Sequence, residues 1–108
     1  RRNFHSTIGL IALNSLKELS VDRSFIAANG VEVRRGITTP NIEQAQVKER
    51  LVEFADEVIL LADSTKLGKA SFAKFADLKE IDHIITDSDA PEEIVAEIES
   101  KGISVEIA

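Results

Sequence analysis

The sequence predicts an α/β domain: a mainly parallel sheet with helices on both faces. Three observations lead there. The runs 25–28, 58–62 and 81–86 are short and rich in apolar or β-branched side chains, which fits strands buried on both faces. Segments with apolar residues at helical spacing lie among these runs, as crossovers between parallel strands require. Each run also ends in a polar residue, Asn29, Asp63 or Asp87, and ligands of open α/β sheets bind beyond the carboxyl ends of the strands.

Along the chain, Ser6 or Thr7 can cap a helix reaching about Leu19, with Ile8, Ile11, Ala12, Leu16 and Leu19 on one face. Phe25 to Ala28 follows as a buried strand. It ends at Asn29-Gly30, which reads equally as a turn or as a strand end carrying a ligand contact. Val31 to Arg35 is a short extension or a hairpin, broken by Gly36. Pro40 prevents an earlier helix start, and Asn41 with Gln44 has capping-box spacing, so the spacing predicts a helix over 42–55. Its polar arc holds Glu43, Gln46, Glu49, Arg50 and Glu53. Gln44 and Lys48 fall in the apolar arc, one turn apart. A lysine placed there either snorkels out past Val52 and Ala55 or is held inward to meet an anion.

The chain is organised around 57–68, EVILLADSTKLG. Its strand, Val58 to Ala62, delivers an acid, two hydroxyls and an amine (Asp63, Ser64, Thr65, Lys66) at one carboxyl end. Lys66 to Asp77 shows little periodicity and reads as a structured loop with a short strand or helical turn. Ile81 to Thr86 is a third buried strand ending at Asp87. Asp89 with Glu92 fits a capping box for a final helix bearing Ile94, Val95 and Ile98, closed by Lys101-Gly102. Ile103, Val105 and Ile107 alternate with polar residues, as in an edge strand with one wet face.

Composition narrows the function. The 108 residues suffice for one modest domain, and 44% hydrophobic with 30% charged residues is ordinary for a globular protein. Thirteen basic against nineteen acidic residues leave a formal charge of -6, which argues against nucleic-acid binding by this segment. The adjacent Arg34-Arg35 and Arg1-Arg2 are its only basic clusters. Without cysteine there is neither a disulfide framework nor a thiolate metal site, and His5 and His83 stand far apart, so no metal or cofactor is expected. No apolar run approaches a membrane span. No G-x-S-x-G, P-loop or G-x-G-x-x-G occurs, so nucleophilic hydrolysis and nucleotide binding lack motif support, and no catalytic residue is assigned. What the strand ends can form is a crevice for a polyhydroxy ligand carrying a phosphate. Lys48, Lys66 and the Thr38-Thr39 hydroxyls would meet the anion, while carboxylate and amide oxygens of Asp63 and Asn29 accept from sugar hydroxyls. Asp87 at its strand end is more often a turn former than a contact.

FIAANGV at 25–31, RGITTPNIEQAQVK at 35–48, VILLADSTKLGKASFAKFADL at 58–78 and IDHIITD at 81–87 closely resemble the effector-binding domain of DeoR-family bacterial transcriptional repressors. The resemblance covers nearly the whole chain in order and spacing. It implies a cytoplasmic repressor of sugar metabolism whose DNA affinity is altered by a sugar phosphate, in a fold similar to ribose-5-phosphate isomerase and the CoA-transferase group. It implies homo-oligomers, which a truncated sheet edge would favour. It also implies that residues 1–108 are the C-terminal part of the sensor, with a winged helix-turn-helix and the first part of the sensor, phosphate cradle included, preceding them. Operator DNA would then be met only through that N-terminal domain. The expected contacts are Asn29, Gly30, Thr38, Lys48, Asp63 and Lys66. Isomerases of the group carry an arginine-glutamate-lysine step on the helix matching 42–55; here it reads Gln46, Val47, Lys48, which keeps the lysine and lacks the base. A sugar-phosphate isomerase and a ligand-free oligomerisation platform are the two alternatives.

Overall fold

The computed structural model describes residues 21–108; the helix expected from Ser6 or Thr7 to about Leu19 lies outside the described residues. Strands β1 (Val21–Ala27), β4 (Ala55–Leu61), β6 (His83–Thr86) and β7 (Ser104–Ile107) form a parallel sheet in the order β1-β4-β6-β7. Helix α1 (Ile42–Phe54) precedes β4, and helix α2 (Glu92–Glu99) joins β6 to β7. Each new strand is added on the same side of the last. Right-handed crossovers therefore place the two helices of the described residues on one face of the sheet, whereas the sequence predicts helices on both.

That face is the core. Val58 and Leu60 of β4, Ile26 of β1 and Ile84 of β6 alternate inward, and they pack with Leu51 and Val52 of α1 and Ile98 of α2. Burying an aliphatic side chain this fully stabilises the fold by about 1.5–3 kcal/mol each. The opposite face begins with a charged row. Glu57 accepts from Arg23 Nε at 2.9 Å, and its other oxygen lies 2.6 Å from His83 Nε2. The His83 hydrogen bond, then that of Arg23, holds the Glu57 carboxyl below the usual carboxylate range. His83 thus neither packs inward nor stands free.

A second sheet was not foreseen. β2 (Gly30–Glu32), β3 (Gly36–Thr39) and β5 (Ala73–Ala76) pair antiparallel in the order β2-β3-β5 and pack against α1. Asn29-Gly30 is accordingly both a strand end and the entry to a hairpin, whose turn falls at Val33–Arg35. The apparent loop 66–77 contains a 3₁₀ turn ending at Lys66, then β5, which presents Phe75 to the core.

The helix caps divide. Asn41 Oδ1 accepts from the Gln44 amide at 2.8 Å, as expected. The second cap is corrected: Pro91 occupies the N-cap of α2 and no side chain caps it. Asp87 Oδ1 takes the Asp89 amide at 2.9 Å, closing a tight turn that keeps Asp89 from the helix end. Gly102, at φ 91°, ends α2 in the left-handed conformation that glycine adopts without strain. No helix among the described residues is long and apolar enough to cross a membrane.

Candidate functional site

The parallel register sets Ala27 beside Leu61 and Leu61 beside Ile85, so Asn29, Asp63 and Asp87 leave neighbouring strands at the same level. Two polar clusters form at this carboxyl edge.

The first centres on Lys48. Its amine is held inward from α1, donating to the Ala27 carbonyl at 2.7 Å and the Thr39 hydroxyl at 3.3 Å, and it sits 5.6 Å from the centre of the Phe75 ring. Burial pushes the Lys48 amine down to about 8, against the carbonyl and ring, which both favour the charged form. An ammonium carries three N–H bonds; two have acceptors among the described residues and the third does not. The Thr39 hydroxyl lies 3.0 Å from Gln44 Oε1 and 3.3 Å from Asn29 Oδ1. With one proton it can serve only one of these at a time, leaving an amide oxygen ready to accept.

The second cluster is Asp63, Lys66 and Asp87. Asp63 caps the 3₁₀ turn, accepting from the Thr65 amide at 2.9 Å and from the Thr65 hydroxyl. The Thr65 hydroxyl bond is the main reason its carboxyl titrates low, with the nearby Lys66 charge adding to this. Asp87 Oδ2 accepts from the Ser64 amide at 2.9 Å, which depresses its own titration and ties the turn to β6. Asp87 therefore organises the loop while its remaining contacts are local.

Of the expected contacts, Lys48 and Asn29 converge through Thr39, and Asp63 and Lys66 form the adjoining group. Thr38 and Gly30 play another part. Thr38 is 3% exposed, and its hydroxyl accepts from the Ser71 amide at 2.7 Å, pinning the 66–72 loop to β3. Gly30 lies beneath it: a Cβ there would come 2.3 Å from Thr38 Oγ1 and 2.6 Å from the Lys69 carbonyl oxygen. Thr39 is the threonine that reaches Lys48, and Thr86, buried at the end of β6, has a hydroxyl with no partner among the described residues. Strand alternation separates Thr38 from Thr39, but only the observed register says which one faces the lysine. Gln44, one turn before Lys48 in the apolar arc, carried a signal of its own. Thr86 carried none beyond its place at a strand end. Among the described residues, no three His, Asp or Glu side chains are grouped to hold a metal ion.

An inward lysine beside hydroxyl and amide groups at a parallel sheet's carboxyl edge is a set of donors and acceptors suited to a small polar ligand. The comparisons agree in class: a model of the DeoR C terminal sensor domain matches residues 1–88, and the chain belongs to this family. It is similar to the HTH-type transcriptional regulator GlpR of Haloferax volcanii, 41% identical over 97% of this chain and 41% of that protein. It is also similar to a putative aga operon transcriptional repressor of Escherichia coli, 30% identical over 97% of this chain and 39% of that protein. The HTH-type transcriptional repressor GlcR of Bacillus subtilis is 39% identical over 73% of this chain and 30% of its own length. The chain thus spans about two fifths of the length of the first of these curated relatives. The names describe regulators of transcription, not enzymes.

Proposed function

We propose that this chain is the C-terminal part of the effector-sensing domain of a transcriptional repressor of sugar metabolism, and that its ligand is a phosphorylated sugar. The observation that carries the reading is the Lys48 amine, half-desolvated, turned inward and left with one undirected N–H beside Thr39. A phosphate oxygen completes that amine, and the Asn29 and Gln44 oxygens and the Asp63 carboxylate accept from sugar hydroxyls. Lys66 contributes a second positive charge from the adjoining cluster. Val47 sits where the resembling isomerases place their base, and its side chain cannot take a proton; that supports binding without turnover in a fold akin to ribose-5-phosphate isomerase. DNA would be engaged by an N-terminal domain, and the ligand would act by favouring one of two arrangements of that domain.

The test is calorimetric titration of the intact regulator with pentose, hexose and ketose phosphates beside their unphosphorylated parents. Binding of one phosphorylated member, lost without its phosphate and weakened by Lys66→Ala, is the expected result. Silence from a folded protein across the panel would overturn the reading.

A further inference from the structure

Away from Lys48, the hairpin turn and the 66–72 loop enclose an open cleft of about 460 Å³ lined by Glu32, Arg34, Arg35, Gly68 and Ala70. None of these residues belongs to the Lys48 group or to the cluster around Asp63. Sites for small molecules measure roughly 300–1,000 Å³. The cleft is of that size, and glycine and alanine on one wall leave its space unfilled from that side.

The charges in it are unbalanced. Arg34 and Arg35 are exposed and adjacent in the turn, and neither has a carboxylate within ion-pair distance among the described residues. Lys74 makes the contrast: its stem passes close to Gly36, which closes the same turn opposite Glu32, and its amine is neutralised by Asp77. Glu32 is the acid in the lining, yet it does not pair with the guanidinium groups. Its Oε1 accepts from the Arg35 backbone amide at 2.8 Å, which fixes the turn, and its other oxygen has no donor among the described residues. The cleft therefore offers two guanidinium forks on an ordered turn beside one carboxylate oxygen free to accept. Such forks match the paired oxygens of a carboxylate or a phosphate. The free Glu32 oxygen repels a bare anion and favours one that brings a hydroxyl.

We infer that this cleft is a second binding site, for a small hydroxylated anion: a phosphate ester or a hydroxycarboxylate held by Arg34 and Arg35, with its hydroxyl donating to Glu32. A nucleic-acid backbone is a poorer match, because two cations neutralise little of a polyanion and the chain around them carries a net charge of -6. This inference does not rest on the sugar-phosphate reading of the Lys48 group.

Calorimetric titration of the full chain carrying Lys48→Met, which removes the inward amine from consideration, tests it with two matched pairs at fixed ionic strength. Citrate is set against tricarballylate, and glycerol 1-phosphate against propyl phosphate; the second member of each pair lacks the hydroxyl groups. One saturable site is expected for citrate, glycerol phosphate or both, roughly tenfold tighter than for the matched anion without hydroxyls. The pair that binds decides between carboxylate and phosphate. Arg34→Gln with Arg35→Gln lowers that affinity by on the order of a hundredfold at an unchanged melting temperature. Arg34→Lys with Arg35→Lys keeps the charge, loses the forks and retains only part of the affinity. No saturable binding, equal binding within both pairs, or binding that survives the glutamine variants would overturn the proposal. So would full affinity in the lysine variants, the mark of diffuse charge attraction, or duplex-DNA binding by the chain that the glutamine variants abolish. Sugar-phosphate titration of the unaltered chain bears on the Lys48 group, so the two readings fail separately.

Discussion

Lys48 combines a cost to folding with a gain in binding. Its amine titrates near 8 when folded and at 10.5 in a model peptide, so between these values the unfolded chain holds more protons. Stability therefore rises with pH across that window; below it the cost of burying the charged amine is present in full and does not change with pH. Denaturant midpoints taken below, within and above the window should show the rise, and Lys48→Met should remove it. The same substitution leaves the fold as stable or more so near neutral pH, yet should lower affinity for the proposed phosphorylated sugar by on the order of ten- to a hundredfold, as loss of a charged hydrogen bond does. Ligand phosphate would raise the amine's titration again, so binding just above pH 8 should take up a proton. Calorimetry in buffers of differing ionisation enthalpy measures that uptake. The neighbouring threonines should separate. Thr38→Val strands the Ser71 amide and costs about 1–3 kcal/mol of stability, whereas Thr39→Val weakens ligand binding with a smaller effect on melting. The sequence placed Lys48 in an apolar arc but could not choose between inward and outward. That choice belongs to the Ala27 carbonyl and Phe75, one distant in the chain and the other in what read as a loop.

Among the elements, the parallel strands were legible as apolar or alternating runs bounded by polar residues, and both helices because their period repeats. The antiparallel sheet was not, since β2 opens at an Asn-Gly that reads equally as a turn or a strand end, and β5 lies in a stretch of little periodicity. Capping was legible at one helix and not at the other. Asn41 reaches the Gln44 amide, whereas Asp89, the expected cap of α2, sits in a turn where its own amide donates to Asp87, and Pro91 takes the N-cap position without a side-chain hydrogen bond. The small sheet depends on close backbone approach at Gly30, where backbone as well as side-chain atoms block a methyl group. Gly30→Ala should therefore lower stability by roughly 1–3 kcal/mol and shift the amide resonances of Thr38, Lys69 and Ser71. Unchanged stability would mean the hairpin relaxes freely.

For the molecule as a whole, the crossovers in the sequence were enough to infer a parallel sheet, while the single direction of strand addition appeared only in the observed order β1-β4-β6-β7. Protection should follow this order inward from the edge. Native-state hydrogen exchange is expected to be slowest at Leu60 and Ile84, whose strands are paired on both sides, and fastest along β7, which has one neighbour and exposed residues. Exchange in β7 as slow as in β4 would show that the sheet opens as one unit. The same order bears on synthesis. The chain leaves the ribosome amino end first, and among the described strands β1 pairs in this sheet with β4 alone, which follows it by some thirty residues; the antiparallel hairpin at 30–39 closes meanwhile. From then on each described strand, β6 and then β7, finds the edge left by the one before it already built, so this part of the sheet can grow like a wall laid course by course.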